Sequence, residues 1–575
     1  MTSSRTHAPA AGQSFGRGVL VLSAAAIVTK IIGLVFRIPL LAAIGMEGMA
    51  YFLAANHFYI WFYTLATAGL PVAISILIAQ ARASLPEAQA RERITAVWTC
   101  ALRAFLVLGA LGTGLMIVFA PAFAELTGIR GAVRSIWASA PTLFFICLAA
   151  AVRGYFQGHG LMTPTAVSEL LESGSKLFLG LGFAALALKL RLDTPTVAAF
   201  AIAGITVGSL LSMLYLFGRH RRFMHAAERQ GSDPSVPAGA LAPTENGEAG
   251  RRSTFRALLT IAAPVTLSSS VIALAGLVDT LLISSRLQAA GIPEQVANAW
   301  YSCFGNLALP LYGLAPALIG PVALALIPSL TAAVKARQCS AARNADKHLK
   351  TEQTVLSASL RLASLISIPA ALGLAVFGEP ILRLLFPGEE LVPLGARLLS
   401  ILAISIPLAA HMTVSNAVLQ AYGHPAGPIW SMAAGTAVKI AVEYLLVGNP
   451  AVGIYGAPIS TFFCNVTIMA LNYYQIKRYA PGLQGMGILY ARPLCAAAPA
   501  VGGAMLAYVW VWRVFGHGTP ATLAALGSAA LLYAVLSYRF KAWTMQDLAL
   551  FYKRKQAVRE AGSADEAVAA EIAQN

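Results

Sequence analysis

Charge is what this chain has least of. Asp, Glu, Lys and Arg make up 11% of its 575 residues, where soluble domains carry about 25%, so it is not a string of soluble domains. Acids are scarcest, 24 against 41 Lys and Arg, which leaves a net charge of +17. Such an excess suits nucleic acid when the cations gather on one folded face. Here they occupy short loops between apolar runs, the pattern that orients membrane proteins, and no nucleic-acid partner is expected. The six cysteines (Cys100, Cys147, Cys303, Cys339, Cys464, Cys495) are scattered without a Cys-x-x-Cys pair, which argues against a disulfide or zinc framework. Missing too are the Gly-x4-Gly-Lys-Ser/Thr loop for ATP, a His-Glu-x-x-His helix and a Ser/His/Asp set outside the apolar segments. The expectation is therefore no enzyme, no metal and no resident cofactor. Transport would draw on the membrane potential, on substrate consumption across the membrane, or on a coupling ion, Na+ or H+.

What the chain has in abundance is apolar sequence, 58% of all residues. Runs near the length of about 20 residues that crosses a bilayer fall at 18–44, 52–79, 94–120, 135–156, 165–188 and 195–217, and after an interruption at 256–284, 301–333, 354–377, 394–418, 427–448, 453–476, 487–512 and 519–539. The fold class is an all-α integral membrane protein of about fourteen transmembrane helices. The segment rich in Pro310, Pro316, Pro321 and Pro328 reads as a broken helix, and Pro39, Pro71, Pro264, Pro369 and Pro407 predict kinks. The first run contains Lys30 and Arg37 and is too long for a signal-peptide core, so it reads as a retained span. Loops after the second, sixth, eighth and twelfth spans are rich in Lys and Arg and the alternate loops poorer, which places both termini in the cytoplasm. Residues 1–17 form a cytoplasmic tail, 218–254 a flexible cytoplasmic linker, and 541–575 an interfacial helix (Trp543, Leu548, Phe551, Tyr552) and disordered tail.

An internal repeat divides the spans. Gln157 and Lys176 recur 263 residues on as Gln420 and Lys439, and Arg103 and Phe119 recur 258 residues on as Arg361 and Phe377. Offsets constant within an element and growing along the chain are those of a duplicated gene with loop insertions. The halves, 18–217 and 255–478, hold six spans each, an even number, so both keep one orientation and form two pseudo-twofold-related lobes with an axis along the membrane normal. The last two spans, within 479–540, lie outside the repeat.

Charges inside spans are costly, roughly 2.5–3.5 kcal/mol each at the bilayer centre, and mark functional sites by default. Lys30 and Arg37 lie seven residues apart on one face of the first span and suit an anionic ligand; Arg37 also lies near enough to the outer end to snorkel. Glu169, Glu172 and Lys176 share a face of the fifth span, with Glu172 and Lys176 spaced for an i,i+4 pair, and Lys439 and Glu443 repeat that spacing in the eleventh. These seven are the candidate cavity residues, against the alternative of structural helix–helix ion pairs. Arg153 and Gln157 at the end of the fourth span, Gln420 in the tenth and Asp279 in the seventh are candidate gate or motif residues; capping for the first two, and pairing of Asp279 with Arg286, are the structural alternatives. Arg103 and Arg361 read as snorkelling cations, Asn56 and His57 as polar groups bonded to a neighbouring helix.

Several stretches carry a family resemblance: Arg153-Gly-Tyr-Phe-Gln157-Gly with Met162-Thr-Pro164-Thr-Ala-Val-Ser168-Glu169, Thr67-Ala-Gly-Leu-Pro71-Val-Ala-Ile-Ser75, Asp279-Thr-Leu-Leu, Val418-Leu-Gln420-Ala-Tyr-Gly423 and Gly453-Ile-Tyr-Gly456-Ala-Pro-Ile-Ser460. Over roughly residues 18 to 540 the chain resembles the SpoVB-type polysaccharide-biosynthesis proteins of the MOP flippase superfamily, which includes the MurJ, Wzx and MATE branches. The resemblance implies a two-lobed transporter of the cytoplasmic (inner) membrane that flips an undecaprenyl-diphosphate-linked glycan, lipid II or another envelope oligosaccharide precursor, by alternating access. Lys30 and its neighbours would neutralise the diphosphate, and the two extra helices would line a groove for the lipid tail. Implied partners are the polyprenyl-diphosphate-linked glycan, membrane lipids and envelope-synthesis enzymes. The alternative is a MATE-like multidrug exporter coupled to H+ or Na+, which would want an anionic cavity and usually has only twelve spans.

Overall fold

Backbone groups that enter a bilayer must find partners within their own segment, and apolar runs do so as helices. The computed structural model describes residues 15–230, 248–339, 342–479, 486–516, 518–540 and 542, and every regular element among them is helical. In chain order these are α1 (Phe15–Thr67), α2 (Leu70–Ser84), α3 (Glu87–Thr127), α4 (Val133–Gly158), α5 (Thr163–Lys189), α6 (Thr194–Gln230), α7 (Glu248–Ala289), α8 (Glu294–Ser302), α9 (Leu309–Tyr312), α10 (Leu314–Cys339), α11 (Ala342–Leu385), α12 (Val392–Ala421), α13 (Ala426–Val447), α14 (Gly456–Tyr479), α15 (Met486–Phe515) and α16 (Gly518–Arg539).

Twelve stretches of the described residues are long and apolar enough to cross a membrane. The first, Val28–Ser84, has 57 residues, far beyond the about 20 of one crossing. Gly45, at φ 65° and ψ −178°, breaks α1 inside it, so it holds two crossings. Glu294–Tyr312 with Leu314–Gly320, bent by 41°, supplies another. Together these restore the fourteen crossings expected. The break in the first stretch falls at Gly45 rather than at Pro39. Pro71 opens α2, in the first turn, where a missing N–H leaves no bond unmade. The broken eighth span contains a π-helical segment, Cys303–Ala308, just ahead of Pro310.

Of the linker expected over 218–254, residues 218–230 continue α6 as helix and 248–254 begin α7. The helix persists because its aromatic face packs: the rings of His220 and Phe223 lie 4.7 and 6.3 Å from that of Tyr155. Residues 231–247, the N-terminal 14 and the interfacial helix expected from Trp543 onward lie outside the described residues.

The chain divides into two units, Met1–Thr280 and Leu281–Asn575. The division falls within α7 because the earlier part of that helix is tied to the first unit. Arg93 Nη1 donates to Thr254 Oγ1 at 3.0 Å, His57 Nδ1 lies 2.6 Å from Thr280 Oγ1, and Gly69 faces the Ala262 carbonyl so closely that a Cβ would lie 2.1 Å from it. In the first unit, glycine faces let helices approach. A Cβ on Gly204 of α6 would meet Gly180 N and Cα of α5 at 2.3 and 2.4 Å; on Gly154 of α4 it would meet the Pro71 carbonyl at 2.8 Å, and on Gly158 the Ile78 Cβ at 2.8 Å. In the second unit, α15 and α16 pack on α11: Tyr508 meets Phe377 at 6.2 Å, and Tyr533 Oη donates to the Leu365 carbonyl at 2.8 Å. Buried Glu352 joins three helices of this unit, accepting Arg337 Nε at 2.8 Å and the Tyr422 hydroxyl.

The repeat is visible in the helix boundaries. α3 ends at Thr127 and α11 at Leu385, 258 residues on; α4 ends at Gly158 and α5 starts at Thr163, while α12 ends at Ala421 and α13 starts at Ala426, 263 residues on. The corner between them is capped identically. Gly160 (φ 75°) and Gly423 (φ 84°) take the left-handed conformation that closes a helix at least cost for glycine. Their N–H groups reach the Gln157 and Gln420 carbonyls at 2.9 and 3.0 Å.

Two outcomes test this packing. Gly204→Ala drives a methyl into backbone that cannot yield and should cost about 1–3 kcal/mol or more, whereas Gly182→Ala, with nothing within 4 Å of its added carbon, should leave detergent thermostability unchanged. Glu352→Ala strands Arg337 and should cost about 3–5 kcal/mol, read as earlier loss of the monodisperse size-exclusion peak on heating.

Candidate functional site

The first unit gathers four of the charged candidates, Arg153, Glu169, Glu172 and Lys176, onto α4 and α5. Arg153, 7% exposed, is held by three partners: Nε donates to Ser168 Oγ at 2.9 Å, and Nη2 to Glu172 Oε2 at 3.1 Å and to Ser212 Oγ at 3.3 Å. Glycines set this geometry. Gly154 and Gly158 turn one face of α4 onto α2, which leaves Arg153 on the side of α5 and α6; Gly208, whose Cβ would lie 2.9 Å from Ser175 and 3.1 Å from the Glu172 carbonyl, brings Ser212 in on the next turn of α6. Glu169, half-buried, lies within Coulomb range of both Arg153 and Glu172. So do the Tyr59 and Tyr63 phenols of α1, which stack at 5.9 Å.

The pair expected between Glu172 and Lys176 is not the one formed. Glu172 turns to Arg153, and Lys176 Nζ sits 5.2 Å from the Phe36 ring centroid and 5.6 Å from that of Phe52. Both phenylalanines are buried on α1, on either side of the Gly45 break, with centroids 5.7 Å apart. Aromatic faces attract a cation without cancelling its charge, by roughly 0.5–2 kcal/mol each. Arg37, half-buried on the same helix, lies within Coulomb range of Lys176. Lys30, two turns earlier, is exposed and makes no hydrogen bond or ion pair among the described residues. α1 and α5 therefore bring two cations, Arg37 and Lys176, together at membrane depth. The arrangement can hold an anion.

In the second unit, Lys439 and Glu443 of α13 are both buried, and Ser460 Oγ donates to Glu443 Oε2 at 3.0 Å. Gln420 is exposed at the end of α12, and Gln157 is half-buried at the end of α4. Asp279 is buried beside Thr280, the residue that meets His57. The contact found for Arg286 is the Tyr444 ring, 3.9 Å from its guanidinium carbon. Arg103 is exposed and Arg361 half-buried. Sequence reasoning missed Ser212, Phe36, Phe52 and the Glu352 cluster. Ser168 stood within the quoted motif, four residues before Glu172 and so on its face, a signal that could have found it.

Two family descriptions match: "Polysaccharide biosynthesis protein" over residues 15–334 and "MatE" over 294–445. The stage V sporulation protein B of Bacillus subtilis (strain 168) is 26% identical over 473 residues, 82% of this chain and 85% of that protein. The lipid II flippase MurJ of the same organism is 24% identical over 477 residues, 81% of this chain and 82% of that one. Among solved structures, that of lipid II flippase MurJ in an inward closed conformation superposes with a TM-score of 0.62 at 15% identity, covering 91% of this chain and 99% of that chain. With its membrane helices, its repeat and a matched segment longer than half its length, the chain belongs to the polysaccharide biosynthesis protein family.

Proposed function

We propose that this protein flips a polyprenyl-diphosphate-linked glycan across the cytoplasmic membrane by alternating access, with lipid II the first candidate and another envelope oligosaccharide precursor the second. The observation that carries the reading is the approach of Lys176 and Arg37 on membrane-spanning helices, with the neighbouring carboxylate, Glu172, bonded to Arg153 and not to Lys176. A diphosphate is the anion that a lipid-linked sugar brings to that depth. Lys176 and Arg37 hold it, and Lys30, on the exposed side of α1, receives it. Lys439 and Glu443 serve the second half of the cycle, and the coupling ion is H+ or Na+. The relative named as a lipid II flippase supports the substrate class.

The MatE match over 294–445 supports a second reading, cation-coupled export of drugs. Its demand for an anionic site fits the first unit poorly, because there Glu172 is spent on Arg153. In proteoliposomes, labelled lipid II should become accessible on the far side, and Lys176→Gln or Lys30→Gln should slow this at least about tenfold, the loss of one charge contact at low dielectric. Unchanged rates in both variants, with drug efflux intact, would favour the exporter. Orientation is tested separately. In spheroplasts, Ser84→Cys should resist a membrane-impermeant maleimide and Glu125→Cys should react; the reverse result would invert the topology.

A further inference from the structure

Glu172 stands one turn from Lys176 on α5, the spacing at which a carboxylate and an ammonium pair within a helix. Had they paired, the anion site would be neutralised from within. Arg153 prevents this by drawing Glu172 to itself at 3.1 Å and anchoring its own guanidinium on Ser168 and Ser212. The other half of the repeat offers an independent comparison. At the offset of 263, Lys176 corresponds to Lys439, but Arg153 corresponds to Asn416 and Glu172 to Gly435. Both members of the ion pair are replaced together. A neutral network fills the equivalent place: Asn472 Nδ2 donates to Asn416 Oδ1 at 2.7 Å and to Ser415 Oγ at 2.9 Å, and Gln475 Nε2 donates at 2.9 Å to Ser431, the counterpart of Ser168. The helices of the second unit therefore pack through neutral groups at the same place. Packing alone does not call for the charges that the first unit buries there.

We infer that Arg153 is a positioning residue for anion binding: it holds Glu172 so that the ammonium of Lys176, resting on Phe36 and Phe52, is not drawn into an ion pair with it and stays available to the ligand. The inference rests on the reading of Lys176 as the anion-holding group and adds to it a residue that never touches the ligand. Removing Arg153 frees Glu172 to swing one turn and pair with Lys176; removing Glu172 as well leaves nothing to pair with.

The experiment measures binding of undecaprenyl diphosphate to the purified full-length protein in nanodiscs, with inorganic diphosphate as competitor. Arg153→Gln should weaken binding about tenfold, as should Lys176→Gln, the scale of one charge contact at low dielectric. Arg153→Gln combined with Glu172→Gln should restore affinity to within about threefold of the parent, and Arg153→Lys, which keeps a cation for Glu172, should do the same. A purely structural Arg153 predicts the opposite, a double variant no better than the single. If Arg153→Gln does not yield folded protein, the double variant and Arg153→Lys still decide, since loss of affinity in both overturns the inference. Parental affinity in Lys176→Gln would overturn the anion-site reading itself. A weak Lys176→Gln without rescue in the double variant would overturn only the role of Arg153. Competition by inorganic diphosphate supports recognition of the headgroup; its failure to compete would assign binding to the prenyl chain and overturn the proposal.

Discussion

A guanidinium and a carboxylate buried between membrane helices are each expensive alone, and the first unit is arranged around satisfying both. Arg153 reaches Glu172, Ser168 and Ser212 from one position, so that neither charge is left without a partner. Three helices must come close for this to happen. Gly204 and Gly208 let α6 approach α5, and Gly154 and Gly158 let the opposite face of α4 rest on α2, because a side chain at any of them would fall within 3 Å of a neighbouring helix. The Arg-Gly-x-x-Gln-Gly stretch thus encodes two functions on opposite sides of one helix: a charged contact on one and a smooth packing face on the other.

The repeat shows how a duplicated scaffold diverges without losing its frame. The corner that ends α4 and starts α5 and the glycine that caps it survive at one offset in α12 and α13, since they are fixed by backbone geometry. The chemistry beneath them does not survive. One half keeps an ion pair where the other has amides and a glycine. The carboxylate nearest the shared lysine has also moved, from one turn before Lys176 to one turn after Lys439.

Much of this was legible in the sequence, and the exceptions have physical reasons. Fourteen crossings could be read because each must be apolar over a bilayer's thickness, and the repeat because three charged or amide positions stand out against so little polarity. The partner of Glu172 could not be read. Helical spacing favours Lys176, whereas Arg153 reaches it only through the approach of α4 to α5. Phe36 and Phe52 lie 16 residues apart across a break at Gly45, and periodicity carries no information across a break. Glu352 does not stand out in the sequence because it sits just ahead of its apolar run, yet it is buried against Arg337 and Tyr422. Residues 218–230 looked like linker from their arginines, while the aromatic face that keeps them helical is sparse in sequence and dense only in space.

The four-residue corner between α4 and α5, closed by a left-handed glycine, has the same length and the same capping bonds in both halves. The five residues by which the halves differ enter ahead of that corner, because α12 has 30 residues to the 26 of α4 and the loop before it is one residue longer. A turn this short and this fully bonded makes the two helices it joins a stiff hairpin. Whatever rearrangement carries cargo across, Arg153 and Glu172 travel on that hairpin as one body, and the bond between them need not break on the way.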